Sequence, residues 1–278
     1  MKLTVNNIDR NLRIELSQLC DIVDIDDNPD GVFLNWTTKS LKTFEQQTGI
    51  IEVCVNKKIP MIIFDMDEKI TPEEASYLMS NSAFLWEPAV TGRNFFAFQP
   101  VWGNIKKFEE IPLIDVVGSI DLAYTSSLSK KIKTFKDYYQ PISEIGDFRV
   151  AYIDMVGNEV INRKVEVMGI PVIINPVESV KSVILLGSEQ DYQTGRLDPR
   201  LFEYLEAGIV PMLPKEHRWY HAIFNDLVVG AEDDTEYILR TLDKISFGCV
   251  YDVYRMLDDY LPECDVKNVA KRINNYFS

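Results

Sequence analysis

Histidine is almost absent from this chain, glycine is sparse, and no long apolar run occurs. The two histidines in 278 residues, His217 and His221, stand four apart outside any HExxH pattern. That spacing puts both on one helix face, but no third ligand suggests itself and no metal site is expected. The thirteen glycines form no GxGxxG fingerprint behind the first strand, which disfavours an NAD(P)-dependent oxidoreductase or epimerase. The four cysteines, Cys20, Cys54, Cys249 and Cys264, make no CxxC pair. Reduced thiols in a cytoplasm are the plain reading. No stretch of about 18 apolar residues occurs, so no transmembrane helix and no membrane attachment are expected. The first ten residues lack the apolar core of a signal peptide. Basic charge is also short, with 29 Lys and Arg against 43 Asp and Glu and a net charge of −14. A broad nucleic-acid surface needs the opposite balance.

What is present is an ordinary globular composition, 46% apolar and 11% aromatic. It suits one large domain or two small ones. Short apolar runs alternate with helical patterns, the signature of α/β units on a mainly parallel sheet. Strand candidates are 31–36, 60–65, 84–86 and 95–101, then 120–124, 148–153, 171–174, 182–186 and 209–213. Thr71-Pro-Glu-Glu74 has capping-box spacing for a helix. A helix is expected over 130–139, and apolar residues 266, 269, 273 and 277 make a clean helical stripe at the end. The pattern restarts near Gly118. Two Rossmann-like domains follow, 1–115 and 116–278, with the last helix free to pack back on the first.

The most informative segment is Arg196-Leu-Asp-Pro-Arg-Leu-Phe-Glu-Tyr-Leu-Glu-Ala-Gly-Ile-Val-Pro-Met-Leu-Pro214. Asp198 suits an N-cap, Pro199 the first helical position and Gly208 the left-handed stop. A buried strand follows at once. Helix starts favour anions, and here Arg196 and Arg200 bracket one, with Glu203 a turn further in. Two arginines suit a diphosphate, and a carboxylate suits the hydroxyls of a ribose. A second candidate cradle is Thr125-Ser-Ser-Leu-Ser-Lys-Lys131, between a strand and a helix, where Ser127, Ser129 and Lys131 offer hydroxyls and an ammonium.

The Arg-x-x-Pro-Arg-x-Phe-Glu-x-x-x-x-Gly pattern in the second of two α/β halves resembles the nucleotide-binding helix of GT-B glycosyltransferases. The resemblance implies two Rossmann-like domains facing across a cleft, with a nucleotide sugar, a UDP-sugar first, bound by the C-terminal domain. By that match Glu203 holds the ribose, and Arg196, Arg200, Ser127, Ser129 and Lys131 lie near the diphosphate. His217 falls near the sugar. Many retaining members carry a further glutamate eight positions earlier, where this chain has Gly195. Inversion and retention therefore stay open.

The strand end Phe64-Asp-Met-Asp67 offers Asp65 or Asp67 as the base for an acceptor hydroxyl, with Glu87 as a rival. Trp36 and Arg93 are candidate acceptor contacts, Trp36 through its aromatic face. No cofactor is expected, since arginines and a helix dipole can neutralise a leaving diphosphate. Size and an Asn- and Asp-rich style resemble small bacteriophage glycosyltransferases that modify DNA. That likeness implies a double-stranded DNA acceptor bearing hydroxymethylated pyrimidines, with Lys39, Lys42, Lys106 and Lys107 as further contacts. A polysaccharide or protein acceptor, or a non-catalytic nucleotide-binding module, stays open beside it, as does the oligomeric state.

Overall fold

The computed structural model describes residues 1–38, 40–105, 120–125, 128, 131–145, 148–154, 157–174, 180–220, 228–229 and 261–278. Two compact units make up the chain, Met1–Ile105 with Tyr260–Ser278, and Lys106–Asp259.

In the first unit the strands are β1 (Lys2–Asn6), β2 (Asp21–Ile22), β3 (Gly31–Asn35), β4 (Met61–Phe64), β5 (Ala83–Glu87) and β6 (Phe96–Phe98). They pair in parallel in the order β2-β1-β3-β4-β5-β6. Every residue of β4 is buried, as in a strand covered on both faces. One face carries α2 (Leu41–Lys57) and α3 (Pro72–Ser80), which pack Ile51, Cys54, Ala75 and Leu78 against Val32, Leu34, Met61 and Ile63. At the start of α3, Thr71 Oγ1 accepts from the Glu74 N–H and Glu74 returns the bond to the Thr71 N–H, with Pro72 at the first position.

The other face is covered by α1 (Arg10–Ser17) and the C-terminal α8 (Val266–Phe277). Leu12 and Leu16 meet Val266, Val269, Ala270 and Ile273 over Phe33, Ile62 and Phe64. Each leucine or isoleucine so buried is worth about 1.5–3 kcal/mol. Asp265 caps α8 by accepting from the Lys267 N–H, and the chain before it is bonded to Gly103. The last helix thus completes the first unit's core.

In the second unit the strands are β7 (Ile120–Tyr124), β8 (Val150–Asp154), β9 (Val172–Ile174), β10 (Val180–Ile184), β11 (Val210–Pro214) and β12 (Val228–Val229). All described pairings are parallel, in the order β12-β11-β10-β7-β8-β9. The strand order reverses between β7 and β10, the doubly wound arrangement in which ligands bind outside the carboxyl ends of the two diverging strands. The helices are α4 (Ile132–Ile145), α5 (Glu159–Val167), α6 (Glu189–Thr194) and α7 (Arg200–Glu206). Whereas the sequence pattern stops the fourth helix at 139, α4 runs on through Pro141. Phe135, Tyr138, Tyr139 and Ile142 form one fully buried i, i+3, i+4, i+7 stripe, and that burial outweighs the lost proline N–H. Among the described residues no helix is long and apolar enough to cross a membrane.

Candidate functional site

β7 and β10 end side by side, and a phenol sits between them. Tyr139, fully buried, donates from its hydroxyl to the Ala123 carbonyl at 2.8 Å and accepts from the Ile184 N–H at 3.1 Å. Beyond β7 comes Thr125, and beyond β10 come the buried Leu185, Leu186 and Gly187. Lys131, at the start of α4, donates its ammonium to the Leu186 carbonyl and so ties the two exits together. Burial lowers the pKa of this ammonium from the ordinary lysine value. Asp198 and Asp191 oppose the shift, while Arg200 and Arg196 reinforce it. Three cations and two carboxylates therefore share this corner.

Asp198 and Arg200 are locked to each other. The Asp198 carboxylate accepts from the Arg200 backbone N–H at 3.0 Å and from Nε at 2.9 Å, and also pairs with Nη2. Burial pushes the Asp198 carboxyl up, but the hydrogen bonds and charge of Arg200 overcome this and leave it below its usual value. Burial likewise opposes the Arg200 charge, and Asp198 raises its pKa regardless. Contrary to the expected Asp198 cap, Pro199 occupies the cap position, and Asp198 one residue earlier takes up the Arg200 N–H at the helix start expected to receive an anion. The regular helix is short, Arg200–Glu206, with Pro199 in the preceding turn. Whatever anion binding occurs here falls to side chains.

Glu203 lies exposed on α7. The next residue, Tyr204, reaches Thr125, and the two hydroxyl oxygens lie 2.5 Å apart. Arg196 is half-buried, its backbone N–H bonded to the Asp191 carbonyl at 3.0 Å. Tyr192 accepts the Gly187 N–H at 2.9 Å, and the His217 ring meets it edge-on at 5.0 Å. Only 2% of His217 is exposed. The structure thus brings Lys131, Arg196 and Arg200 together, with His217 against the neighbouring Tyr192. Ser127 and Ser129 lie outside the described residues, as does His221. Tyr139, Tyr192 and Tyr204 border this corner and were not singled out in the sequence, while Thr125 opened the expected cradle without being named as a contact. Thr125 directly follows a recognised strand and Tyr204 directly follows Glu203, which is the signal that was there to be used.

In the first unit the three candidate carboxylates fall into two groups. Asp65 and Glu87 are 0% exposed. Asp65 accepts from the N–H groups of Lys69 and Ile70 at 2.9 and 2.8 Å and from Arg93 Nη2 at 2.7 Å. Glu87 accepts from Arg93 Nε at 2.6 Å and from the Arg93 backbone N–H. Arg93 adds a bond from Nη1 to the Ile70 carbonyl and lies 4.0 Å above the Phe96 ring. Two carboxylates and a guanidinium so arranged fasten the loop after β5 to the end of β4. Burial depresses the Arg93 pKa, and its two acids more than compensate. Asp67 is half-buried and accepts from Thr37 Oγ1 at 3.1 Å. Trp36, 6% exposed and edge-on to Phe44 at 5.5 Å, is a core residue rather than an open stacking face. Lys39, Lys106 and Lys107 lie outside the described residues.

No family model matches the chain, and no curated protein matches it. Solved structures do. A glycosyltransferase from Rickettsia africae ESF-5 superposes with a TM-score of 0.56 at 9% identity, covering 99% of this chain and 97% of its own. AviGT4, a glycosyltransferase involved in avilamycin A biosynthesis, gives 0.54 at 12% identity, covering 100% and 97%. An alpha-glucosyltransferase in complex with UDP-glucose and DNA containing an abasic site gives 0.54 at 9% identity, covering 96% and 83%. At such identities the likeness is one of fold. The chain has a GT-B-like fold built from two parallel α/β units.

Proposed function

We propose that the chain is a glycosyltransferase that moves a sugar from a nucleoside diphosphate sugar, UDP-linked first among these, to an acceptor hydroxyl. The observation that carries the reading is the gathering of Lys131, Arg196 and Arg200 at the carboxyl ends of β7 and β10, where the strand order reverses. In this reading the three cations, with Ser127 and Ser129, face the diphosphate, Glu203 takes the ribose hydroxyls, and His217 borders the sugar. The sugar–phosphate bond breaks with its electron pair going to the diphosphate. The acceptor oxygen forms the new bond and gives up its proton. Side-chain cations neutralise the leaving group, so no resident cofactor is needed. For a base, Asp65, Asp67 and Glu87 stay the candidates, of which Asp65 and Glu87 are paired with Arg93.

For the acceptor, the alpha-glucosyltransferase complexed with DNA, whose fold this chain shares, supports DNA as the first candidate to assay, with the hydroxymethylated pyrimidines expected from the sequence as the bases to try. The net charge of −14 weighs against it, and polysaccharide or protein hydroxyls come next. The test is a screen of UDP- and GDP-sugars against hydroxymethylated DNA, plain DNA and glycan acceptors, scored by nucleoside diphosphate release. Release with one donor supports the reading. A chain that binds nucleotide yet never turns over donor is a regulatory module instead, and one that binds no nucleotide refutes the donor site.

A further inference from the structure

The paired hydroxyls of Thr125 and Tyr204 stand at the carboxyl end of β7 and have a proton to spare. Each hydroxyl carries one donor hydrogen and two acceptor lone pairs. The 2.5 Å bond between them uses one hydrogen, whichever oxygen donates it. Among the described residues neither oxygen bonds to anything else. The second hydrogen therefore has no acceptor among the described residues, and both residues are half-buried rather than sealed in the core.

The surroundings say what that hydrogen is for. Tyr204 feels the field of Arg200, and its own pKa is raised, chiefly by burial, so the phenol stays protonated. Lys131 and Arg200 press on the same corner. A hydroxyl donor among cations, at a strand end where ligands collect, meets an anionic oxygen best.

We infer that the Thr125–Tyr204 pair is a ligand-binding hydroxyl dyad, which donates its unshared hydrogen to an anionic oxygen of the bound nucleoside diphosphate. This rests on the nucleotide-sugar reading above and adds to it two residues outside the cationic set. The two hydroxyls act as a unit. Removing either one leaves a single hydroxyl that still donates, less well oriented. Removing both abolishes the contact. The losses are therefore strongly non-additive.

The experiment is isothermal titration of the full chain with UDP and with GDP, on wild type, Thr125→Val, Tyr204→Phe and the double variant, each with a thermal unfolding curve. With whichever nucleotide binds wild type, each single variant loses a few-fold in affinity. The double variant loses roughly 10- to 100-fold, the size expected of a hydrogen bond to a charged oxygen. Thr125→Ser, which keeps the oxygen, recovers most of the Thr125→Val loss. If the double variant does not fold, the contrast of Thr125→Val with Thr125→Ser carries the test: equal affinities overturn the dyad. Unchanged affinity in a folded double variant also overturns it, as does a loss that only tracks lowered stability, and either leaves the donor reading intact. If wild type binds neither nucleotide, the donor reading falls and the dyad with it.

Discussion

Replacing Arg93 with methionine tests whether Asp65 and Glu87 are structural. The substitution keeps most of the apolar stem and removes the guanidinium that both carboxylates share. Both acids are 0% exposed, while the Arg93 side chain is 34% exposed. Breaking a buried pair from one side costs about 3–5 kcal/mol. Because water reaches a third of Arg93, screening places the effect near the low end, about 3 kcal/mol. For a unit of this size that corresponds to a fall of roughly 12 °C in melting temperature.

The pH dependence follows from the Arg93 pKa. In wild type the Arg93 pKa is raised, so its contribution is complete below the ordinary arginine range and flat across pH 5–8. The loss in Arg93→Met should therefore be the same at pH 5 and at pH 8. Thermal unfolding by circular dichroism at both pH values measures it. A variant within about 2 °C of wild type at both, roughly 0.5 kcal/mol, or one whose loss differs between the two pH values, refutes the reasoning.

Asp198→Asn loosens Arg200 and costs about 1–3 kcal/mol at pH 7, read from urea midpoints. Because the folded Asp198 pKa is depressed, its contribution is present above the unfolded value near 3.9 and is lost as pH falls through the folded one. The deficit should shrink below about pH 4, and a constant deficit would count against the ion pair. Gly31→Ala places a Cβ 2.2 Å from Cδ1 of Phe277 and should destabilise the first unit by about 1–3 kcal/mol. Unchanged unfolding in that variant would mean that α8 is not seated on β3. Glu203→Ala should weaken UDP binding at least roughly ten-fold without lowering the melting temperature, since the side chain is exposed.

Much of the fold was legible because the sequence states it locally. The run Ile120–Tyr124 is a strand over those same residues, the stripe at 266, 269 and 273 is buried as a helix face, and the Thr71–Glu74 capping box is present. Other elements carry weak local signals. In α1 only Leu12 and Leu16 are buried, and β2 spans two residues, so nothing periodic announces them. Extension of α4 through Pro141 depends on tertiary burial of Tyr139 and Ile142, which no local rule contains. The site divides the same way. The cations at 131, 196 and 200 could be named from their motif. Whether a strand-end carboxylate receives a proton or a guanidinium could not, since Arg93 is 28 residues from Asp65. The Asp198–Arg200 lock, two residues apart, lies within reach of local reading, although Pro199 rather than Asp198 holds the cap position.

The most direct test of the central claim is a crystal soaked with a panel of nucleotide sugars. The account predicts diphosphate density in contact with Lys131, Arg196 and Arg200, and a ribose against Glu203. Nucleotide density at the strand ends of the first unit, with the corner between β7 and β10 left to solvent, would contradict it.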